Sequence, residues 1–146
     1  MISGDVLLKF YGRQDVQLAM IDAAKDKEVG VRFGDKGYGK RPDILKYPND
    51  VLSLVKEGAT SFHFSEELWK DPMRLKTGMK KKEIDDLRKG WDLIIDIDCP
   101  YWKLSRIITW LIIEALKEQG VKNISVKFSG NKGFHIAVPF ESFPET

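Results

Sequence analysis

Apolar and polar positions follow two different periods in the second half of the chain. The stretch W-D-L-I-I-D-I-D, Trp91–Asp98, ends an apolar run with alternating acids, and alternation with period two is typical of a strand with one buried face. Leu104–Gln119 repeats apolar side chains every three or four residues, which predicts a helix that ends at Gly120. Trp110 and Ile113 widen the apolar face, so we expect this helix to be covered on more than one side.

Shorter elements surround this strand and helix. Strands are predicted at 123–128 and 134–139 with a tight turn between them, so strand, helix and strand favour a right-handed crossover, and the hairpin adds an antiparallel strand. Upstream, helices are predicted at 15–25 and 50–57, strands at 28–33 and 60–65, turns at 34–42 and 66–69, and a solvated helix within 73–90. The fold class is therefore α/β (α+β), a mixed sheet with flanking helices.

Composition narrows the class of protein. A chain of 146 residues with 42% apolar content can bury one core, which predicts a single domain. Because 24 basic and 22 acidic residues nearly cancel, any attraction to nucleic acid must be local. One cysteine, Cys99, excludes an intramolecular disulfide and a multi-cysteine zinc site. With no signal peptide and no bilayer-spanning stretch, we expect an intracellular protein, cytoplasmic or nucleoid-associated, without membrane partners.

Asp96 and Asp98 are the first candidate site residues. Side chains two residues apart on a strand point the same way, which leaves Ile95 and Ile97 for the buried face. Two neighbouring carboxylates repel each other, and a divalent cation such as Mg²⁺ or Mn²⁺ relieves that repulsion. An exposed strand end and a helix-capping arrangement are the alternatives.

The turn S-G-N-K-G-F-H, Ser129–His135, is the second candidate. Gly130 and Gly133 permit positive φ, so that backbone N–H groups can form a concavity that binds anions. Ser129 supplies a hydroxyl and Lys132 a charge suited to phosphate, while His135 is expected on the strand face opposite the core. An ordinary hairpin turn with a bulge is the alternative.

The two motifs together indicate metal-assisted transfer at a phosphate, because carboxylates for a metal would lie beside a phosphate-binding turn. Lys80, Lys81 and Lys82 belong to the basic run of 73–90, for which a solvated helix face is the default and a nucleic-acid backbone contact the alternative.

At these residues the chain resembles the small catalytic subunit of the archaeo-eukaryotic primase (primase-polymerase) superfamily. D-L-I-I-D-I-D is similar to that family's D-L-I-F-D-I-D, and S-G-N-K-G-F-H to its S-G-x-x-G-x-H. K-E-V-G-V at Lys27–Val31 is similar to its R-E-F-G-F, with Glu28 matching the glutamate, and S-F-H-F-S before Glu66 resembles the segment ahead of the acidic motif. The likeness covers most of the chain from about residue 27.

The resemblance implies a DNA primase-like nucleotidyltransferase that uses two divalent metals to synthesise primers. Asp96 and Asp98 would hold Mg²⁺ or Mn²⁺, and Ser129, Gly130, Lys132, Gly133 and His135 would bind the phosphates of NTP or dNTP. Implied partners are a single-stranded DNA template and a large primase subunit or other replication or repair proteins.

The chain departs from the family in two respects. It lacks the zinc-binding insert after the acidic motif, so no zinc is expected, and it contains no aspartate after Asp98 to serve as a third metal ligand. We therefore expect residues 1–146 to be one primase-type catalytic domain, either an N-terminal fragment or a minimal version. A catalytically incomplete binding module with the same fold and a metal-dependent nuclease are the other functions considered.

Overall fold

The chain divides into two compact units, Met1–Lys89 (unit 1) and Gly90–Thr146 (unit 2), in a computed structural model that describes residues 3–143. Compact units of this kind occur within one domain as well as between domains, so the single catalytic domain stays a prediction. Each unit is mixed α and β, with small sheets and flanking helices, as the predicted fold class requires.

Unit 1 surrounds a core of small aliphatic side chains. Its elements are α1 (Gly4–Tyr11), α2 (Gln14–Ala23), β1 (Val29–Arg32), α3 (Pro48–Lys56), β2 (Ser61–Phe64), β3 (Glu67–Trp69) and α4 (Lys81–Leu87), followed by β4 (Arg88–Trp91) at the unit boundary. β1 pairs antiparallel with β2, and its alternating Val29 and Val31 are buried together with Val51 of α3. The predicted strand–helix–strand order around β1, α3 and β2 is therefore confirmed.

The first unit also differs from the prediction in three places. α1 was not predicted, the segment 66–69 forms β3 rather than a turn, and the polar run 73–90 yields only the short α4 before β4. β3 and β4 form a two-stranded sheet of three- and four-residue strands. Strands this short contain too few alternating positions to be recognised by periodicity, and pairing with a distant strand provides their backbone hydrogen-bond partners.

An ion pair between a buried glutamate and an exposed arginine fixes the chain just before β1. Glu28 is 5% exposed, and the Arg41 guanidinium donates to its two carboxylate oxygens at 2.8 and 2.6 Å. These hydrogen bonds and the charge of Glu28 raise the pKa of Arg41. The bidentate partner of Glu28 is therefore Arg41, which lies in the glycine-rich loop 34–42.

Unit 2 is a three-stranded sheet with one long helix. It contains β5 (Leu93–Asp98), α5 (Trp102–Glu118), β6 (Ser125–Phe128) and β7 (Gly133–Val138), and the strand order is β5-β7-β6. Both pairs are antiparallel, so β5 and β6 run parallel with β7 between them. The predicted antiparallel hairpin strand is therefore present, and it occupies the centre of the sheet.

Helix α5 packs on the sheet through a small polar side rather than through its apolar stripe. Ser105 and Thr109 are buried, and the Thr109 hydroxyl donates to the Ser105 carbonyl at 2.7 Å. Leu104, Ile107 and Leu111 remain about half exposed. The prediction that this helix is covered on more than one side is therefore wrong for the described residues, because small side chains allow the closest approach to the sheet.

None of the helices within residues 3–143 has the combination of length and hydropathy that a bilayer-spanning segment needs.

Candidate functional site

The pairing of β5 with β7 brings the two predicted motifs together. In the strand register Asp96 lies opposite His135, and Asp98 lies opposite Gly133. Directly opposite residues of an antiparallel pair have their side chains on the same face of the sheet. The acidic motif and the glycine turn therefore meet on one face of unit 2.

The other face of this sheet belongs to α5. Trp102, in the first turn of α5, packs against Phe134 with ring centroids 5.1 Å apart, and Ile97 is 7% exposed. Because neighbouring residues on a strand alternate between faces, Asp96, Asp98 and His135 lie on the face away from the helix. This alternation confirms the predicted division of β5 into an apolar side and an acidic side.

Asp96 and His135 are in direct electrostatic contact. The Nε2 atom of His135 lies 3.4 Å from the Asp96 carboxylate, whose side chain is 67% exposed. The imidazole is about one-third exposed, so solvent reaches both groups. A carboxylate beside an imidazole can take part in proton transfer or bind a cation, and the open side leaves room for a ligand.

Lys127 extends this pair into a row of three residues across the sheet. It lies opposite His135 on β6, so acid, imidazole and ammonium occupy successive strands on one face. The Lys127 side chain is exposed and forms no hydrogen bond or ion pair within residues 3–143. No motif in the sequence marks Lys127, because its position depends on the register of the hairpin. A five-residue connection, 129–133, between the paired Phe128 and Phe134 is the signal that determines this register.

Gly133 is required by close packing, which corrects the predicted reason for it. A Cβ atom at this position would lie 1.5 Å from the carbonyl oxygen of Ile97, so no side chain fits between β7 and β5 there. Gly133 does not have positive φ, whereas Gly130 does, at 89°. The prediction of positive φ is therefore confirmed for Gly130 and wrong for Gly133.

Ser129 closes the turn that contains these glycines. Its Oγ accepts the N–H of Gly133 at 3.1 Å and that of Asn131 at 3.4 Å, and its own N–H donates to the Gly133 carbonyl at 2.9 Å. Two of the N–H groups that were expected to face an anion therefore donate to the turn itself. Lys132 is exposed at the tip of the same turn.

Asp96 and Asp98 have the chemistry of a Mg²⁺ or Mn²⁺ site. Both side chains are exposed on one face of β5, and Mg²⁺ is commonly held by one or two carboxylates together with water and substrate phosphates. Within residues 3–143, no three His, Cys, Asp or Glu side chains cluster closely enough to hold a metal ion by themselves. The protein part of such a site would thus be the aspartate pair, with the remaining ligands from substrate and solvent.

Lys80, Lys81 and Lys82 lie in unit 1, at and just before the start of α4. All three are exposed, and the carboxylate of Glu83 accepts the backbone N–H of Lys80 at 2.7 Å. Three lysines at a helix N-terminus oppose the helix dipole, so their charge does not stabilise α4. A solvated face and a contact with a polyanion both remain compatible with this arrangement.

Comparisons with known proteins reveal one similarity without an assigned activity. No model of a known protein family matches the chain. The chain is similar to an uncharacterized protein of Methanocaldococcus jannaschii, MJECS07, with 32% identity over 112 residues. The similar region covers 76% of this chain and 24% of the relative, so the chain spans about a quarter of the relative's length. Activity, substrates and partners of this chain are therefore proposals.

Proposed function

We propose that this chain is the nucleotide-binding core of a primase-type nucleotidyltransferase that uses Mg²⁺ or Mn²⁺ and a single-stranded DNA template. The observation that carries the proposal is the β5–β7 register, in which Asp96 lies opposite His135 and Asp98 opposite Gly133. That register joins a carboxylate pair to the glycine turn on one face of a sheet. Both halves resemble the primase-polymerase motifs, and the strand–helix–strand–hairpin unit is the element that carries them.

In this proposal each side chain of the face has one task. Asp96 and Asp98 would hold the divalent ions, whose positive charge would stabilise the charge on the triphosphate and make the attacking hydroxyl more acidic. Lys127, Lys132 and His135 supply positive charge or hydrogen-bond donors for the phosphates. Ser129, Gly130 and Gly133 shape the turn that presents these groups.

The reaction is a phosphoryl transfer. The 3′-hydroxyl of the growing strand attacks the α-phosphorus of the nucleotide, a new P–O bond forms, and the bond to the β-phosphate oxygen breaks to release pyrophosphate. The hydroxyl proton passes to solvent, which reaches the exposed Asp96 side of the face. Charge on the phosphates is high throughout, which is why a cationic face suits the substrate.

Calorimetric titration of the 146-residue chain with ATP in the presence of Mn²⁺ tests the nucleotide site. We expect Asp96→Asn to weaken binding by about tenfold or more, since one metal-binding carboxylate is lost. Glu118→Gln is the matched control because it removes an exposed acid from the end of α5 in the same unit. Equal affinities for Asp96→Asn and the unaltered chain would contradict the proposal.

Lys127→Gln tests whether Lys127, which the hairpin register places opposite His135, contributes to the nucleotide site. We expect the affinity for the Mn²⁺–ATP complex to fall about five- to tenfold, whereas adenosine, which has no phosphates, binds equally to both forms. Lys122→Gln is the control, because Lys122 is an exposed lysine in the loop after α5. An equal loss with adenosine would show a structural defect instead of a missing phosphate contact.

A catalytically incomplete binding module is the second candidate function. Its basis is that no three His, Cys, Asp or Glu side chains within residues 3–143 cluster closely enough to hold a metal ion, which leaves Asp96 and Asp98 as a pair. Template-directed primer synthesis separates the two functions. Incorporation of labelled nucleotide on a single-stranded template would establish the enzyme, and nucleotide binding without incorporation would establish the module.

A further inference from the structure

The surface of α5 that faces away from the sheet is strongly apolar. Leu104, Ile107 and Leu111 are 50%, 52% and 53% exposed, and Trp110 is 59% exposed. A helix face of this kind costs free energy in water, at about 25 cal/mol for each Å² of apolar surface. Contiguous exposed apolar patches typically mark a site of interaction with another molecule.

Beside this stripe lies a groove of about 680 Å³, here called the α5 groove, lined by Lys103, Arg106, Ile107, Trp110, Ile113 and Phe134. Its floor and walls are mainly aliphatic and aromatic. Lys103 and Arg106 are exposed on α5, and the side chain of neither forms an ion pair or hydrogen bond within residues 3–143. The nearest acid along the helix, Glu114, is engaged by Lys117 at 2.9 Å.

We propose that the α5 groove binds an acidic amphipathic segment of a partner protein. Apolar side chains of the segment fill the groove between Ile107 and Phe134, and its carboxylates pair with Lys103 and Arg106. Amphipathic segments bind grooves in this way, with apolar anchors for affinity and charges for orientation. The site is separate from the Asp96–His135–Lys127 face, because it lies on the opposite side of the same sheet. This proposal does not depend on the nucleotidyltransferase function.

The lining distinguishes this occupant from two others. Single-stranded nucleic acid stacks its bases on aromatic rings, and it gains little from the aliphatic residues Ile107 and Ile113 that line the groove. A second copy of the chain in a two-fold contact would bring each groove against the same surface. Lys103 and Arg106 would then face like charges, which disfavours self-association through this surface.

A peptide-display selection on the folded 146-residue chain identifies the chemistry that the groove accepts. A library of random 16-residue peptides is selected on the unaltered chain and counter-selected on the Lys103→Glu, Arg106→Glu double variant. We expect enrichment of peptides with acidic residues and with apolar residues at helical spacing. The enriched peptide is then synthesised with a fluorophore, together with a scrambled version, for anisotropy titrations.

The titrations include matched variants. Arg106→Glu and Ile107→Asp should each raise the Kd of the enriched peptide about tenfold or more, since one removes a charge partner and the other a wall of the groove. Lys122→Glu, which reverses an exposed charge outside the groove, should leave the Kd within twofold. Circular dichroism of every variant should match that of the unaltered chain, because all four positions are exposed.

Three outcomes would overturn the proposal. The first is selection of basic peptides, or of no peptide above background. The second is competition by an oligodeoxythymidylate that displaces the peptide with the same dependence on Arg106. The third is sedimentation that shows dimers of the unaltered chain and monomers of Ile107→Asp, which would make a second copy the occupant.

Discussion

At the scale of single residues, three side chains on three strands give unit 2 its chemical character. Asp96, His135 and Lys127 form a row across the sheet in which an acid, an imidazole and an ammonium are neighbours. These three side chains do not contribute to the hydrophobic core, because all of them lie on the face of the sheet away from α5. Beside the turn closed by Ser129, these three residues supply the groups that the proposed metal and phosphate site needs.

The close packing at Gly133 predicts that a side chain there reduces the stability of the protein. Gly133→Ala should lower the free energy of unfolding by about 3 kcal/mol or more, because the new Cβ overlaps the Ile97 carbonyl and must push β7 from β5. Gly130→Ala is the control, since nothing lies within 4 Å of its added Cβ and only its φ of 89° is unfavourable. That strain costs about 1–2 kcal/mol.

Urea denaturation followed by circular dichroism compares the two variants. A smaller loss for Gly133→Ala than for Gly130→Ala would mean that β5 and β7 do not approach each other as closely as described.

At the scale of elements, the position of each strand depends on contacts made outside it. β1 is fixed at its start by Glu28, which Arg41 holds from the glycine-rich loop, and β7 is fixed by pairing on both edges. Central strands satisfy the backbone groups on both sides, whereas β5 and β6 each leave one edge unpaired within this sheet. The site row therefore lies across the most strongly constrained strand of unit 2.

Loss of the buried carboxylate of the Glu28–Arg41 pair should reduce stability more than loss of the carboxylate of an exposed ion pair. Glu28→Gln should lower the free energy of unfolding by about 2 kcal/mol, because a buried carboxylate with two charge-assisted hydrogen bonds is lost. Solvent around the Arg41 side chain, which is 59% exposed, keeps this loss below that of a fully buried pair.

Asp15→Asn is the matched control. Asp15 is also held by two hydrogen bonds from one arginine, Arg13, but both side chains are more than half exposed. The urea midpoint should be unchanged by Asp15→Asn. Equal shifts for the two variants would show that burial of Glu28 has no role in the stability of unit 1.

At the scale of the whole molecule, positive and negative charges nearly cancel, so only local clusters of like charge can attract a polyanion. The net charge of +2 supplies no general attraction to nucleic acid, so the proposed binding of a template would require local patches such as Lys80, Lys81 and Lys82. These lysines are exposed at the start of a helix that they do not stabilise. Binding to phosphates would explain why positive charge is concentrated there.

A triple variant tests this patch. Changing Lys80, Lys81 and Lys82 to Gln should reduce the slope of log K against log salt for oligodeoxythymidylate by up to about 2, at about 0.7 per phosphate contact on a single strand. A control changes Lys9, Lys36 and Lys56, which are exposed and dispersed over unit 1. Both variants are titrated with salt in parallel. Equal slopes for the two would show that Lys80, Lys81 and Lys82 do not contact the phosphates.

How much the sequence predicts differs between elements for physical reasons. β5 was predicted to its last residue because its alternation and apolar run are local signals. β3 and β4 were missed because such short strands depend on each other, and α1 was not predicted from its pattern. Helix α5 was predicted, but the side by which it packs on the sheet was not. Apolar periodicity points to the apolar stripe, whereas the buried residues of the helix are Ser105 and Thr109.

The sequence by itself determined the helix and strand types of unit 2, the common face of Asp96 and Asp98, and the glycine turn from Ser129, because each depends on neighbours within a few residues. Only the tertiary structure decided that β7 lies between β5 and β6, and with it the contact of His135 with Asp96 and the need for glycine at 133. The register of β5 with β7 joins residues that are more than thirty positions apart in the chain, and no local pattern of apolar and polar side chains encodes that pairing.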